Sequence, residues 1–322
     1  MKKMKYFLLI ILCVLSLFSH AEKNKAGKNK AADRDKVTQF LRPKMYSSEI
    51  YNDFNFSSHL LANFYKYHGH SYISTVGIDN LSWGPVYSGI FLSEIETRYN
   101  TGSKFGLIGT QGQTKINNHS IFGHLLWKVY HYVYLDFLGG IGENHFVLDN
   151  TVNSPFLVTG SRRGLARYDG SDGYAGIRTI LGYRFKRFFI NANLSYIYSR
   201  YRQDGYVIQY PGIPQLVPSL TTKLDTFIER AYLYYLYNEH FYPYLNGGLL
   251  QVANRRFSRA INQNTVINSP LPQTILDNNG YFLGLGARII YRRVEIQPSF
   301  EHSRRGDAFR NNQATLRVSL YI

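Results

Sequence analysis

Residues 173–205 read GYAGIRTILGYRFKRFFINANLSYIYSRYRQDG, and this stretch decides the fold. Ala175, Ile177, Thr179, Leu181 and Tyr183 share one parity; Gly176, Arg178, Ile180, Gly182 and Arg184 share the other. Beyond Lys186-Arg187 the alternation resumes, with Ile190, Ala192, Leu194, Tyr196 and Tyr198 against Asn191, Asn193, Ser195 and Ser199. A period of two is that of a β-strand with one apolar and one wet face. Soluble strands usually stop at about five or six residues. These run to roughly a dozen, close to the ~9–11 residues with which a tilted strand crosses a bilayer. The stretch is therefore a transmembrane hairpin.

Composition agrees. Of 322 residues, 16% are aromatic, with 28 Tyr and 21 Phe. Tyrosine, an apolar ring with a wet hydroxyl, suits the interfacial girdles of a membrane barrel. No central run of eighteen apolar residues reads as a spanning helix. The net charge of +16 in isolation suggests nucleic acid. The N-terminus points elsewhere: Lys2, Lys3 and Lys5, an apolar core from Tyr6 to Phe18 and a small-x-small site at Ser19-His20-Ala21 form a secretory signal over 1–21. Anionic lipid is then the expected partner. Cys13, the single cysteine, falls inside the leader, so neither disulfides nor thiol catalysis is expected beyond it.

Residues 22–45 form a basic tail, with eight Lys/Arg against three Asp/Glu, and its composition predicts disorder. Over 46–70 the chain turns apolar. Ile50, Phe54, Leu60, Leu61, Phe64 and Tyr65 can line one side of a helix, making this a candidate pore plug, with an extended segment as the alternative. Barrel strands are predicted over 71–79, 86–99, 104–114, 118–130, 131–144, 174–185, 188–201, 224–237, 241–254, 280–291, 293–303 and 312–322. Tight joins at Asn100–Ser103, Tyr130/His131, Lys186-Arg187, Asn238–His240 and Arg292 contrast with long ones at 145–173, 202–223, 255–279 and 304–311. Short turns on one rim and long loops on the other mark an outer-membrane barrel. The expected fold is all-β: a twelve-stranded antiparallel transmembrane β-barrel over 71–322, preceded by a short helical or extended segment.

From Ser71 to Ile322 the chain resembles the translocator (β) domain of autotransporters. The resemblance rests on the strand-turn-strand unit of 173–205 with Tyr198-Ser199-Arg200 and Asp204-Gly205, on the Pro-Tyr strand start at Pro243-Tyr244, and on the Gly-alternating Leu283-Gly-Leu-Gly-Ala-Arg288. In that family a helix threads the pore before the first strand, where 46–67 stands here. Upstream lies only the basic tail, so the resemblance implies a translocator without a large passenger. The final residue is Ile322 where the family usually has Phe.

Taking the apolar parity as outward places Glu94, Glu96, Arg98, Lys128, Asp136, Arg178, Arg184, Arg288, Glu295, Gln297, Glu301 and Arg317 in the lumen. Arg or Lys on the lipid face would cost about 2–4 kcal/mol at mid-membrane. The faces of 224–237, FIERAYLYYLYN from Phe227, are not assignable, because aromatics occupy both parities. Glu301-His302-Ser303 resembles a triad only in one dimension, since adjacent strand residues face opposite ways. His68 and His70 beside Ser71 read as pore-mouth or plug residues. Asp169-Gly-Ser-Asp172-Gly lacks the downstream Glu of a calcium loop and reads as a surface turn. No enzyme activity, cofactor, metal or nucleic acid is expected.

The expected function is an outer-membrane barrel of a Gram-negative-type bacterium serving surface display, adhesion or envelope integrity. A small-solute pore and an outer-membrane hydrolase are the alternatives. Leu316, Val318, Leu320 and Ile322 form the expected signal for the barrel-assembly machinery, on a strand that closes the sheet against the first. Arg200, Arg202, Arg255 and Arg256 are the expected lipopolysaccharide contacts, because Arg grips phosphate in bidentate fashion. A monomer is expected.

Overall fold

A computed structural model describes residues 41–60, 63–130, 132–157, 160–212, 214–258 and 277–322. The leader and the tail as far as residue 40 lie outside them. Twelve antiparallel strands close into a barrel. They are β1 (Lys44–Leu60), β2 (Asn63–Trp83), β3 (Val86–Phe105), β4 (Ile108–Tyr130), β5 (Val133–Asn153), β6 (Ser161–Phe185), β7 (Phe188–Gln203), β10 (Leu220–Tyr235), β11 (Phe241–Phe257), β12 (Asn279–Tyr291), β13 (Val294–Arg305) and β14 (Phe309–Tyr321). A small hairpin, β8 (Tyr206–Ile208) and β9 (Gln215–Val217), interrupts the β7–β10 connection.

Four expectations are corrected. The segment offered as a plug helix, 46–70, is strand β1 and the start of β2, paired from Lys44↔Asp79 to Leu60↔Asn63. Its apolar spacing fits a strand because Phe54 and Phe56 pack inward against Tyr67 and Tyr99. The predicted strands 104–114 and 118–130 merge from Ile108 onward into one continuous strand, β4, with no break between Thr114 and Asn118, and Lys104 and Phe105 end β3. The two errors offset each other, and twelve strands remain. The strand that closes against β14 is thus β1, from Lys44↔Tyr321 to Phe56↔Phe309, leaving no open edge in lipid. Finally, 145–173 is mostly strand, with β5 ending at Asn153 and β6 starting at Ser161, and Asn100–Ser103 lies inside β3.

One rim carries the joins 84–85, 131–132, 186–187, 236–240 and 292–293 together with the ends of β1 and β14. Its turns use left-handed residues: Gly84 at φ 64°, Lys186 at 53° and Arg292 at 55°, as two-residue hairpins require. Around this rim stand Trp83, Trp127, Tyr130, Phe185, Tyr237 and Tyr291, all exposed. Above them lies a belt of outward apolar residues, among them Ile90, Leu92, Ile121, Phe137, Ile141, Leu245, Leu285 and Leu316. This belt is the lipid-facing surface.

Strand length is uneven. β2 to β6 run 20 to 25 residues, whereas β12 to β14 run 12 or 13. The short wall barely exceeds the ~9–11 residues of a bilayer crossing; the long wall stands well beyond it. Because β7 pairs with β6 only from Gly170 onward, the far end of β6 would be an open edge. The β7–β10 connection covers it: the Asp204 amide donates to the Asp169 carbonyl at 3.0 Å, and the Gln209 amide to the Leu165 carbonyl at 2.9 Å. An edge paired in this way cannot recruit another chain.

Inside the long wall's extension, apolar side chains turn inward. Phe146, Tyr168 and Tyr206 stack at 4.7 and 3.8 Å between centroids and pack with Leu148, Ile208 and Val217. Gly164 makes room for this: a Cβ there would meet Ile208 and Tyr210 at 2.6 Å. A second cluster, Phe56, Tyr67 and Tyr99 with Phe309, adjoins it through Ile116.

Candidate functional site in the lumen

The long wall carries a chain of alternating charges near the tight-turn rim. Lys44 Nζ lies 3.9 Å from Asp79, His124 Nε2 3.0 Å from Asp79 and His124 Nδ1 2.9 Å from Asp136. Arg178 Nε donates to the other Asp136 oxygen at 3.0 Å, and its Nη2 reaches the same atom. His124 sits on β4 and Asp79 on β2, so the ring must pass over β3. It crosses at Gly89, where a Cβ would lie 2.6 Å from Nε2. An imidazole with both nitrogens on carboxylates donates twice, which only the charged form does. Asp136, fully buried, has both oxygens occupied.

The short wall holds separate pairs. Arg288 donates to Glu295 and to the Tyr321 hydroxyl, each at 2.7 Å, and that hydroxyl donates to Glu295. Arg230 meets Glu301 at 2.9 Å and lies 4.1 Å over the Phe282 ring, while Asn246 donates to Glu301 at 2.8 Å. Arg317 stands 5.2 Å over the Tyr46 ring. Buried ions are held by such matched partners.

Of the predicted lumen residues, Asp136, Arg178, Arg184, Arg288, Glu295, Glu301 and Arg317 lie on the inward parity of their strands, as do Lys128 and Gln297. Glu94, Glu96 and Arg98 do not. They share the outward face of β3 with Ile90 and Leu92, whereas Phe91, Ser93, Ile95, Thr97 and Tyr99 face in. The physical reason is height: beyond Leu92 the outward face meets water rather than lipid. There Arg98 Nε donates to Glu96 at 2.8 Å and Lys115 lies 3.3 Å from it.

The remaining candidates separate. Glu301 and Ser303 face in while His302 faces out, bonded to Asn312 at 2.8 Å. Asp169 and Asp172 occupy opposite faces of β6 rather than a turn: Asp169 meets His145 at 2.6 Å, and Asp172 accepts from Asn118 and Asn144 at 2.8 and 2.7 Å. His68 and His70 are on the outward parity of β2, opposite Asn100 and Arg98. The unassigned strand resolves: Phe227, Glu229, Ala231, Leu233 and Tyr235 face out, and Ile228, Arg230, Tyr232 and Tyr234 face in. Glu229 is an acid on the lipid face, registered between Leu194 and Leu249.

Among the described residues, two lumen cavities follow the two walls. One, of about 680 Å³, is lined by Ile73, Ile95, Ile116 and Phe122 with Ser71, Thr75 and Thr97. The other, of about 280 Å³, is bordered by Arg178, Arg230 and Arg317. Lys44, Asp79, His124 and Arg230 escaped the sequence reading. The signal for His124 and Asp136 was their common inward parity on adjacent strands.

No protein-family model matches the chain, and neither does any curated protein. Solved structures do match in fold. The translocator domain of the autotransporter NalP from Neisseria meningitidis superposes at TM-score 0.68 with 12% identity, over 95% of this chain and 98% of that one. The β domain of the Bordetella autotransporter BrkA gives 0.54 and 12%, over 87% and 100%. The transport unit of AIDA-I from Escherichia coli gives 0.51 and 8%, over 87% and 90%. The fold is the twelve-stranded transmembrane barrel of autotransporter translocator type.

Proposed function

We propose that the chain is a non-enzymatic, monomeric barrel of a Gram-negative-type outer membrane whose long wall acts at the cell surface in display or adhesion. The observation that carries this reading is the projection of β2–β6 beyond the apolar belt, charged outside and closed inside by aromatic packing. A stiff sheet so built presents a fixed surface rather than a mobile loop. The tight-turn rim faces the periplasm, as short turns do in such barrels. An epitope placed in 154–160 should be detected on intact cells, and shortening 145–170 to a tight turn should abolish attachment while the barrel stays inserted. Attachment unchanged by that deletion contradicts the reading.

Membrane partners follow from the outer face. Arg200, Lys223 and Arg256 stand opposite one another on three neighbouring strands. They lie just above outward Tyr196 and Phe227, whose rings are 5.2 Å apart. Three cations at that level suit lipopolysaccharide phosphates. Arg202, paired with Asp204 at 3.1 Å, flanks them. Arg255 is on the inner face, because the irregularity at Asp225/Thr226 shifts the parity of β11. For assembly, outward Leu316, Val318 and Leu320 with Ile322 form the segment read by the barrel-assembly machinery, and deleting 314–322 should prevent insertion.

A small-solute pore is the second reading, favoured by the two lumen cavities. Steady single-channel conductance from purified protein would support it.

A further inference from the structure

High in the long wall the inward apolar residues pack on one another, but below those clusters they line an unfilled space. Ile50, Ile73 and Ile95 stand directly opposite one another on β1, β2 and β3. With Phe54 on β1 and Ile116 and Phe122 on β4 they border the cavity of about 680 Å³, and all six are only half-buried. Tyr99 and Phe146, members of the packed clusters, bound it from above. Barrel interiors are ordinarily polar. Isoleucines in register on three strands make an apolar lumen surface that no described residue covers. The polar groups of the same lining are occupied with one another. Ser71 and Thr97 share a hydrogen bond at 2.9 Å, and Thr75 donates to Ser93 at 3.1 Å. Asn118 and Asn144 both donate to Asp172, and Arg305 gives two N–H groups to the Asp277 carbonyl.

We infer that this cavity binds an uncharged, apolar small molecule, the size of a fused aromatic ring pair or a short alkyl chain. Because the polar groups of the lining already have partners, an apolar guest costs them no hydrogen bond. It also takes the half-exposed Ile and Phe side chains out of water, which favours binding in proportion to the area covered. A charged guest would leave water for a surface of isoleucines, at a cost that nothing in the lining offsets. The volume of about 680 Å³ falls within the range of small-molecule sites, roughly 300–1,000 Å³. The chain's own tail over 22–45, with eight Lys/Arg, has the wrong chemistry to fill such a space. The site is independent of what the long wall does outside and of whether the lumen conducts.

The test is photolabelling of the purified full chain in detergent with an uncharged phenyl diazirine, the labelled residues being located by mass spectrometry. Strand parity supplies the internal control. Outward Leu92 and Ile121 should take up label from the micelle in proportion to its concentration. Inward Ile73, Ile95 and Ile116 should label saturably, and naphthalene should displace that inward label while leaving the outward label unchanged. The anion 2-naphthoate should compete less well than naphthalene by about tenfold or more, since its charge must be desolvated. Ile95→Trp fills part of the space and should lower the saturable label at Ile116 by about tenfold; Ile73→Trp should do the same. Heat-modifiable migration reports which variants are folded, and competition on the unaltered chain decides the matter if neither is. Inward residues left unlabelled, inward label that naphthalene does not displace, competition by 2-naphthoate as strong as by naphthalene, or undiminished label at Ile116 in a folded Trp variant would each overturn the site.

Discussion

The two walls of this barrel obey one rule and show opposite patterns. On β14 of the short wall, Leu316, Val318 and Leu320 face lipid, and Thr315, Arg317 and Ser319 face the lumen. On β3 of the long wall that pattern holds only as far as Leu92; beyond it Glu94, Glu96 and Arg98 are outside and Ile95 and Tyr99 inside. The side chains alternate identically throughout. What changes along the strand is the solvent, from hydrocarbon to water, and with it the face on which apolar groups are stable. A long strand can thus be a membrane wall below and a soluble sheet above, without a break in its pairing.

The comparison is broken most severely at Asp136, which ties the long wall together inside the belt. Asp136→Ala removes the acceptor of Arg178 and one of the two acceptors of His124, with Asp79 remaining to the imidazole, and should cost about 3 kcal/mol in urea unfolding from liposomes. An effect below about 1 kcal/mol would mean that water replaces the carboxylate and the lumen there is wet.

The boundary itself is probed by two arginines. Leu92→Arg should destabilise the bilayer-embedded barrel by about 2–4 kcal/mol, and Glu94→Arg, one outward position higher, by under about 1 kcal/mol. Equal costs would place both residues in the same medium.

Glu229 sharpens the contrast from the other side, because it remains on the lipid face between Leu194 and Leu249. Glu229→Leu should raise stability in bilayers by about 1 kcal/mol, acids costing less than bases at such depth. The smallest effect concerns the cap. The hydroxyl of Tyr168 is buried beside Tyr206, so Tyr168→Phe should cost no more than about 1 kcal/mol, while Tyr168→Ala should expose 204–219 to protease by opening the stack with Phe146 and Tyr206.

The membrane half of the fold was legible in the sequence because lipid enforces parity: residues 173–205 form β6 and β7, with the faces that their alternation implies. The upper half was not. Phe91, Ile95 and Tyr99 make an apolar parity as good as that of Ile90 and Leu92, and nothing in a period of two says where the solvent changes. The faces of β10 were hidden for a related reason, since Tyr is stable both in an interfacial girdle, as Tyr235, and against lumen arginines, as Tyr232. In the site, the arginines were visible as inward charges. The contact of His124 with Asp79 was not, because it depends on a bare glycine, Gly89, in the strand between them.

The central claim, that β3 leaves the membrane above Leu92 with its charged face outward, is tested by labelling intact cells with a large, impermeant polyethylene-glycol maleimide. Single cysteines at Leu92, Glu96, Thr97 and Arg98 are introduced in a Cys13→Ser background. Glu96→Cys and Arg98→Cys should label, because they face external water. Leu92→Cys, in lipid, and Thr97→Cys, bonded to Ser71 inside the barrel at 2.9 Å, should not. Labelling at Thr97 with protection at Glu96 and Arg98 would reverse the faces and contradict the account.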